Sequence, residues 1–203
     1  MWKKYQNFHI IIHVERKPME SFDHARYLSF ESLMEMSRPN SEDRENVSIS
    51  HISEDALAFV ADASALLDRE LQLLLLEAQL AADSYWSVQR EVQYTGVKGE
   101  QCSIGTRVRI INGTTLALDW YRNSYKDTKE TIANNAKKKV YSRYIPKGAS
   151  DSYSMQLFKN EPLWARELIE FVEGKYAHLR RKSAAISKAR RSINQYAALL
   201  AKE

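Results

Sequence analysis

From Leu57 to Val92 apolar or small residues recur in an unbroken alternation of three and four: Leu57, Val60, Ser64, Leu67, Leu71, Leu74, Ala78, Ala81, Tyr85, Val88 and Val92. That spacing traces one face of an α-helix. A second row, Leu66, Leu73, Leu76 and Leu80, widens the face beyond a two-helix seam, so the helix is expected to bury itself on two sides. Ser53 suits the N-cap, and Glu54 and Asp55 place negative charge where the helix dipole favours it. Gly96 and Gly99 should end it. Continuous to Val92, such a helix would extend roughly 60 Å at about 1.5 Å per residue.

A helix this long needs something to pack against. Ile104 to Arg122 supplies the clearest β pattern, with Asn112-Gly113 marking a hairpin turn between two alternating runs. The faces select the loop length. With a two-residue loop, Val108 and Leu116 fall on opposite faces. With a three-residue loop, Ile111-Asn112-Gly113, Ile110 pairs with Thr114 and Val108 with Leu116. Ile104, Val108, Ile110, Leu116, Leu118 and Trp120 then share one face, and Arg107, Arg109, Thr115, Ala117, Asp119 and Tyr121 the other. A third strand, Val140 to Ile145, closes a meander at Pro146-Lys147-Gly148. Three strands on a helix make a stable unit where a lone hairpin does not.

Helix returns after Asn160 as N-cap with Pro162 in the first turn. Its buried stripe is expected at Leu168, Val172, Leu179, Ile186, Ala189, Ile193, Tyr196 and Leu200, with Gly174 a point of interruption or bending. The chain therefore predicts an α+β fold: a long N-terminal helix, a three-stranded antiparallel β-meander and a long C-terminal helix. The helices should pack on each other and on one sheet face. Gly 6 and Pro 4 agree with long helices.

This α-β-β-β-α domain occupies 51–203. Residues 1–50 read as an extension, with a strand over Tyr5 to Val14, a weakly helical 19–36 and a polar linker over 37–50.

Charge divides the chain lengthwise. Residues 1–94 hold 9 Lys/Arg against 16 Asp/Glu, whereas residues 95–203 hold 21 against 10. A basic half of this kind points to a polyanionic partner, unless it is simply a solvated face. Ten cations crowd the β region: Arg107, Arg109, Arg122, Lys126, Lys129, Lys137, Lys138, Lys139, Arg143 and Lys147. Trp120, Tyr121, Tyr125, Tyr141 and Tyr144 are interleaved with them. Cations bind phosphates with counterion release, and a β-ribbon fits the major groove. The competing view has the face simply solvated, or packed on a helix with Asp119 partly neutralising Arg107. Arg180, Arg181, Lys188, Arg190 and Arg191 form a second basic run on the last helix. Part of that run could grip phosphate, and part could balance Glu77 and Asp83 on the acidic helix.

Enzymatic constellations are missing from the sequence. His9, His13, His24, His51 and His178 are scattered, with no zinc spacing. No glycine-rich phosphate loop or nucleophile elbow occurs. Glu170 and Glu173 read as solvent-facing helix surface. The single cysteine, Cys102, rules out an internal disulfide and fits a reducing compartment. No apolar run approaches the roughly 18–20 residues of a membrane span. His9 and His13 break the apolar stretch after Met1-Trp2-Lys3-Lys4, so no signal peptide is expected. A cytoplasmic protein without cofactor or metal is the expectation.

The order of features resembles the MobI family, transfer-initiation proteins of integrative conjugative elements and large conjugative plasmids. The likeness rests on Asp83-Ser84-Tyr85-Trp86, Trp120-Tyr121-Arg122-Asn123, Tyr144-Ile145-Pro146-Lys147-Gly148, Tyr153, Trp164 and Leu179-Arg180-Arg181, and covers roughly 57–196. It implies a relaxosome auxiliary that recognises the origin of transfer and helps position the relaxase without cutting DNA. Trp120, Tyr121, Arg122, Asn123, Lys147 and Gly148 match the family's motifs. The candidate contacts to double-stranded DNA are Arg107, Arg109, Arg122, Asn123, Lys126, Lys137, Lys138, Lys139, Arg143, Lys147, Arg180 and Arg181. Two other readings remain: a helical interaction or scaffold protein, including a homodimer through the long helices, and a nuclease using a tyrosine such as Tyr121.

Overall fold

The computed structural model describes residues 28–39, 41–42, 44, 47–97, 99–126 and 139–202. The expected strand at Tyr5 to Val14 lies outside them, as do His9, His13, His24, Lys129, Lys137 and Lys138. The chain divides into two compact units, Met1–Ala58 and Phe59–Glu203.

In the first unit a short helix α1, Phe30–Met36, is capped by Ser29, whose hydroxyl accepts from the Ser32 N–H at 3.1 Å. None of α1 is buried. The long helix α2, Ile49–Thr95, begins a turn earlier than Ser53. Ser48 takes the capping role, its hydroxyl accepting from the His51 N–H at 3.3 Å. That bond satisfies an amide that would otherwise lack a partner. Gly96 ends α2 with φ 64°, its N–H donating to the Gln93 carbonyl, a left-handed stop that glycine takes without steric cost.

The second unit carries strands β1 (Ile104–Ile111), β2 (Thr115–Lys126) and β3 (Lys139–Tyr144), in the order β1-β2-β3 and antiparallel throughout. A single 3-10 turn, Met155–Phe158, leads to helix α3, Leu163–Leu200. This is the α+β meander the sequence predicts, with two local corrections. The hairpin loop has the expected three residues but is Asn112-Gly113-Thr114, so Ile110 opposes Leu116 and Val108 opposes Leu118. Asn112 (φ 52°) and Gly113 (φ 70°) both take the left-handed region, which matches the strand twist and displaces the loop by one residue. The pairing moves by two in total, so the expected faces survive. At α3, Pro162 rather than Asn160 holds the N-cap position, and the helix continues through Gly174.

One face of the sheet is the core. Ile104, Thr106, Leu116, Leu118 and Trp120 are buried beneath Leu71, Leu74, Ala78, Ala81 and Tyr85 of α2 and Leu168, Val172, Tyr176 and Leu179 of α3. Trp120 is its centre, edge-on to Tyr85 at 5.2 Å and Phe158 at 5.8 Å and tilted against Tyr176 at 5.7 Å. Three cross-links, Glu77–Lys182, Asp68–Arg190 and Phe59–Tyr196, descend one helix as they ascend the other, so α2 and α3 run antiparallel. The stripe on α3 is buried at Leu168, Val172, Leu179 and Ile186 but not at Ala189 or Tyr196. The second leucine row corrects the expectation of two buried sides. Leu66, Leu73, Leu76 and Leu80 are 39–53% exposed, because the sheet and α3 meet α2 on its other row.

Candidate nucleic-acid interface

The expected cations fall into three settings. On the outer sheet face lie Arg107 and Arg109, together with Asp119, Tyr121, Asn123, Ser142 and Tyr144, as strand alternation and the register require. Arg107 donates to the Tyr144 hydroxyl at 2.9 Å. Arg109 pairs with Asp119 at 3.2 Å and sits 5.5 Å from the centre of the Tyr144 ring. Asp119 thus neutralises Arg109, its diagonal neighbour, and not Arg107. Ser142 donates to the Asn123 side-chain oxygen at 2.6 Å. Thr106, Arg107, Tyr121, Ser142 and Tyr144 line a shallow pocket of about 350 Å³.

The second setting is the paired end of β2 and β3. Arg122 stands directly opposite Arg143, and two rungs on the register pairs Lys126 with Lys139. Ser124 and Tyr141 form the rung between. Like charges directly opposed across a sheet destabilise it, and Arg122 with Arg143 is such a rung. Arg122 is partly compensated: it donates to the Leu157 carbonyl and lies 3.6 Å from the Glu161 carboxylate. Lys139 is exposed over the Tyr141 ring. Arg143 is exposed and has no side-chain partner among the described residues. Lys147, at the turn after β3, donates to the Ser150 carbonyl and ties down its own loop.

In the third setting, α3, the two neighbouring arginines separate. Arg181 is exposed. Arg180 points into the protein, where it donates to Glu173 at 2.7 Å, to the Asp151 carbonyl at 2.7 Å and to the Leu118 carbonyl at 2.7 Å. Glu173 also accepts from Trp120 Nε1 at 2.7 Å and the Tyr153 N–H at 2.9 Å. Glu173 is therefore a buried hub (3% exposed) rather than helix surface, and Arg180 is spent on the fold rather than presented to a phosphate. The sequence carries a signal for this. Glu173 and Arg180 lie seven apart, each one step beyond a buried apolar residue, Val172 and Leu179, and that period brings them to one face of the helix.

Tyr121, Tyr144 and Ser142 on the outer sheet face, with the buried Gly105 under Tyr121 and the buried Glu161 beside Arg122, are not among the contacts expected from sequence. The tyrosines are visible there as interleaved aromatics, but their meeting depends on the β2–β3 register. Burial pushes the Tyr121 phenol above its usual range, with Tyr144 adding to the rise and Arg107 opposing it. Burial likewise pushes the Cys102 thiol up to about 11, which keeps it protonated and unreactive at neutral pH. Among the described residues no group of three or more His, Cys, Asp or Glu gathers as a metal site, and no helix is long and apolar enough to cross a membrane.

A family model described as MobI protein matches residues 74–194, from the buried part of α2 through the whole sheet and most of α3. No curated protein and no solved structure matches.

Proposed function

The chain belongs to the MobI family of conjugative mobilization proteins, and from this premise we propose that it is a DNA-binding auxiliary of transfer. It recognises the double-stranded origin of transfer in the cytoplasm and assists the relaxase, without nicking DNA itself. The observation that carries this reading is the like-charged rung of Arg122 with Arg143, continued in the register by Lys126 with Lys139. The repulsion between the two arginines is relieved when a polyanion lies along the strip. Tyr121 is a poor nucleophile for strand cleavage, because burial disfavours its phenolate.

Fluorescence anisotropy with the element's own origin duplex and a scrambled duplex tests the reading. Binding should prefer the origin and weaken steeply with salt, by about 0.9 in log–log slope per neutralised phosphate. Arg143→Ala should lower that slope by about one. Absence of binding at low salt, or equal affinity for scrambled DNA, defeats the proposal. Incubation with divalent metal should leave the origin uncut.

The exposed leucines of α2 favour a second reading, a helical interaction protein. Leu66, Leu73 and Leu80 lie seven apart and remain open to solvent, the spacing of a seam for another helix, supplied by a second copy or by the relaxase. In sedimentation, Leu73→Glu should abolish any self-association while leaving the chain folded.

A further inference from the structure

We propose, building on the DNA-binding reading, that the outer sheet face takes unpaired bases of single-stranded DNA. Tyr121 lies across β1 directly over Gly105, so close that a Cβ on that glycine would collide with the ring. Glycine there lets the ring lie down on the sheet. Tyr144 stands edge-on to Tyr121 at 6.3 Å, with its hydroxyl held by Arg107 and one face near Arg109. It is oriented on three sides and still 45% exposed. Two same-face positions further along β2 stands Tyr125, 60% exposed. Between the two aromatic positions sits the polar pair Asn123 and Ser142.

The electrostatics separate this face from the charged strip. Arg109 is neutralised by Asp119, and Arg107 is drawn down to a tyrosine hydroxyl. Both are thus engaged with side chains of the same face, while Arg107 stays exposed. What the face offers is aromatic surface with a polar group beside it and a shallow depression lined by Tyr121, Ser142 and Tyr144. A duplex hides the faces of its bases, whereas single strands expose them for stacking on aromatic side chains. Tyr121 and Tyr125 are four residues apart, about 13 Å at roughly 3.3 Å per residue, so the face is long enough for more than one nucleotide. β3 is the edge of the sheet; by strand alternation its exposed Arg143 and Lys139 project from the opposite face, where a DNA backbone passing over that edge meets them.

The test uses the full chain with fluorescein-labelled single strands of the origin, each strand separately, and the origin duplex. The wild type should bind at least one single strand. Tyr144→Leu should weaken that binding about ten-fold, in the range of one lost base–aromatic stack, with duplex affinity kept within about two-fold. Tyr125→Leu, at a more exposed position, should weaken it by a smaller factor and decides the matter if Tyr144→Leu does not fold. Duplex binding without single-strand binding overturns this inference and leaves the DNA-binding reading standing. Equal losses on both substrates also overturn it, as does single-strand affinity that neither variant changes. Failure to bind any DNA defeats both readings.

Discussion

Trp120 and Tyr121 are adjacent in sequence and point to opposite faces of β2, and the two faces use similar residues to different ends. Inside, Trp120, Tyr153 and Tyr176 surround an arginine–carboxylate pair, Arg180 with Glu173. Outside, Tyr144 lies against another, Arg109 with Asp119, and Tyr121 lies against Tyr144. The inner pair is 9% and 4% exposed and the outer pair 37% and 27%. Burial decides what each pair does. The inner one is a structural joint among α3, β2 and the 151–153 segment, because a desolvated charge must keep its partner. The outer one is more open to water, which screens its attraction.

Removing the carboxylate on each side puts this contrast at greatest risk. Glu173→Ala should destabilise the fold by about 3–5 kcal/mol, the usual cost of orphaning a buried charge, measured by urea unfolding. Trp120→Phe keeps an aromatic ring and removes the donor to Glu173, and should cost about 1–3 kcal/mol in the same assay. A pH titration of stability probes the inner side differently. Burial raises the Cys102 thiol from 9.0 to about 11 and the Tyr176 phenol from 10.0 to about 12. Both folded values exceed the unfolded ones, so the stabilisation is whole below about pH 9. It should fall by roughly 1.4 kcal/mol per pH unit for each group, from 9.0 to about 11 for Cys102 and from 10.0 to about 12 for Tyr176. Cys102→Ala should remove the lower part of that decline. Asp119→Ala on the outer face should change stability by less than about 1 kcal/mol. A loss as large as that of Glu173→Ala would end the distinction between the faces.

Much of the fold is legible in the sequence because its signals are periodic. The α2 stripe through Leu71, Leu74, Ala78, Ala81 and Tyr85 is buried where the helical period puts it. The two faces of the hairpin are also as expected, since a pairing shift of two residues preserves side-chain parity. The surface is harder to read. Arg107 and Arg109 do share a face, but which arginine Asp119 neutralises depends on rotamers across strands. Arg180 and Arg181 are adjacent letters with the same charge, and only the rotation of α3 sends one to Glu173 and the other to solvent.

The helices, the meander and the concentration of cations in the second half were already dictated by local spacing, turn residues and composition, which act between near neighbours. Packing alone settled that Glu173 and Arg180 hold the core, that Arg122 opposes Arg143, and that Tyr121 and Tyr144 meet beside Gly105. Each of these depends on which distant residues are brought together and on how much water is left around them. Charge and aromaticity are written in the chain, but desolvation is a property of the packed molecule.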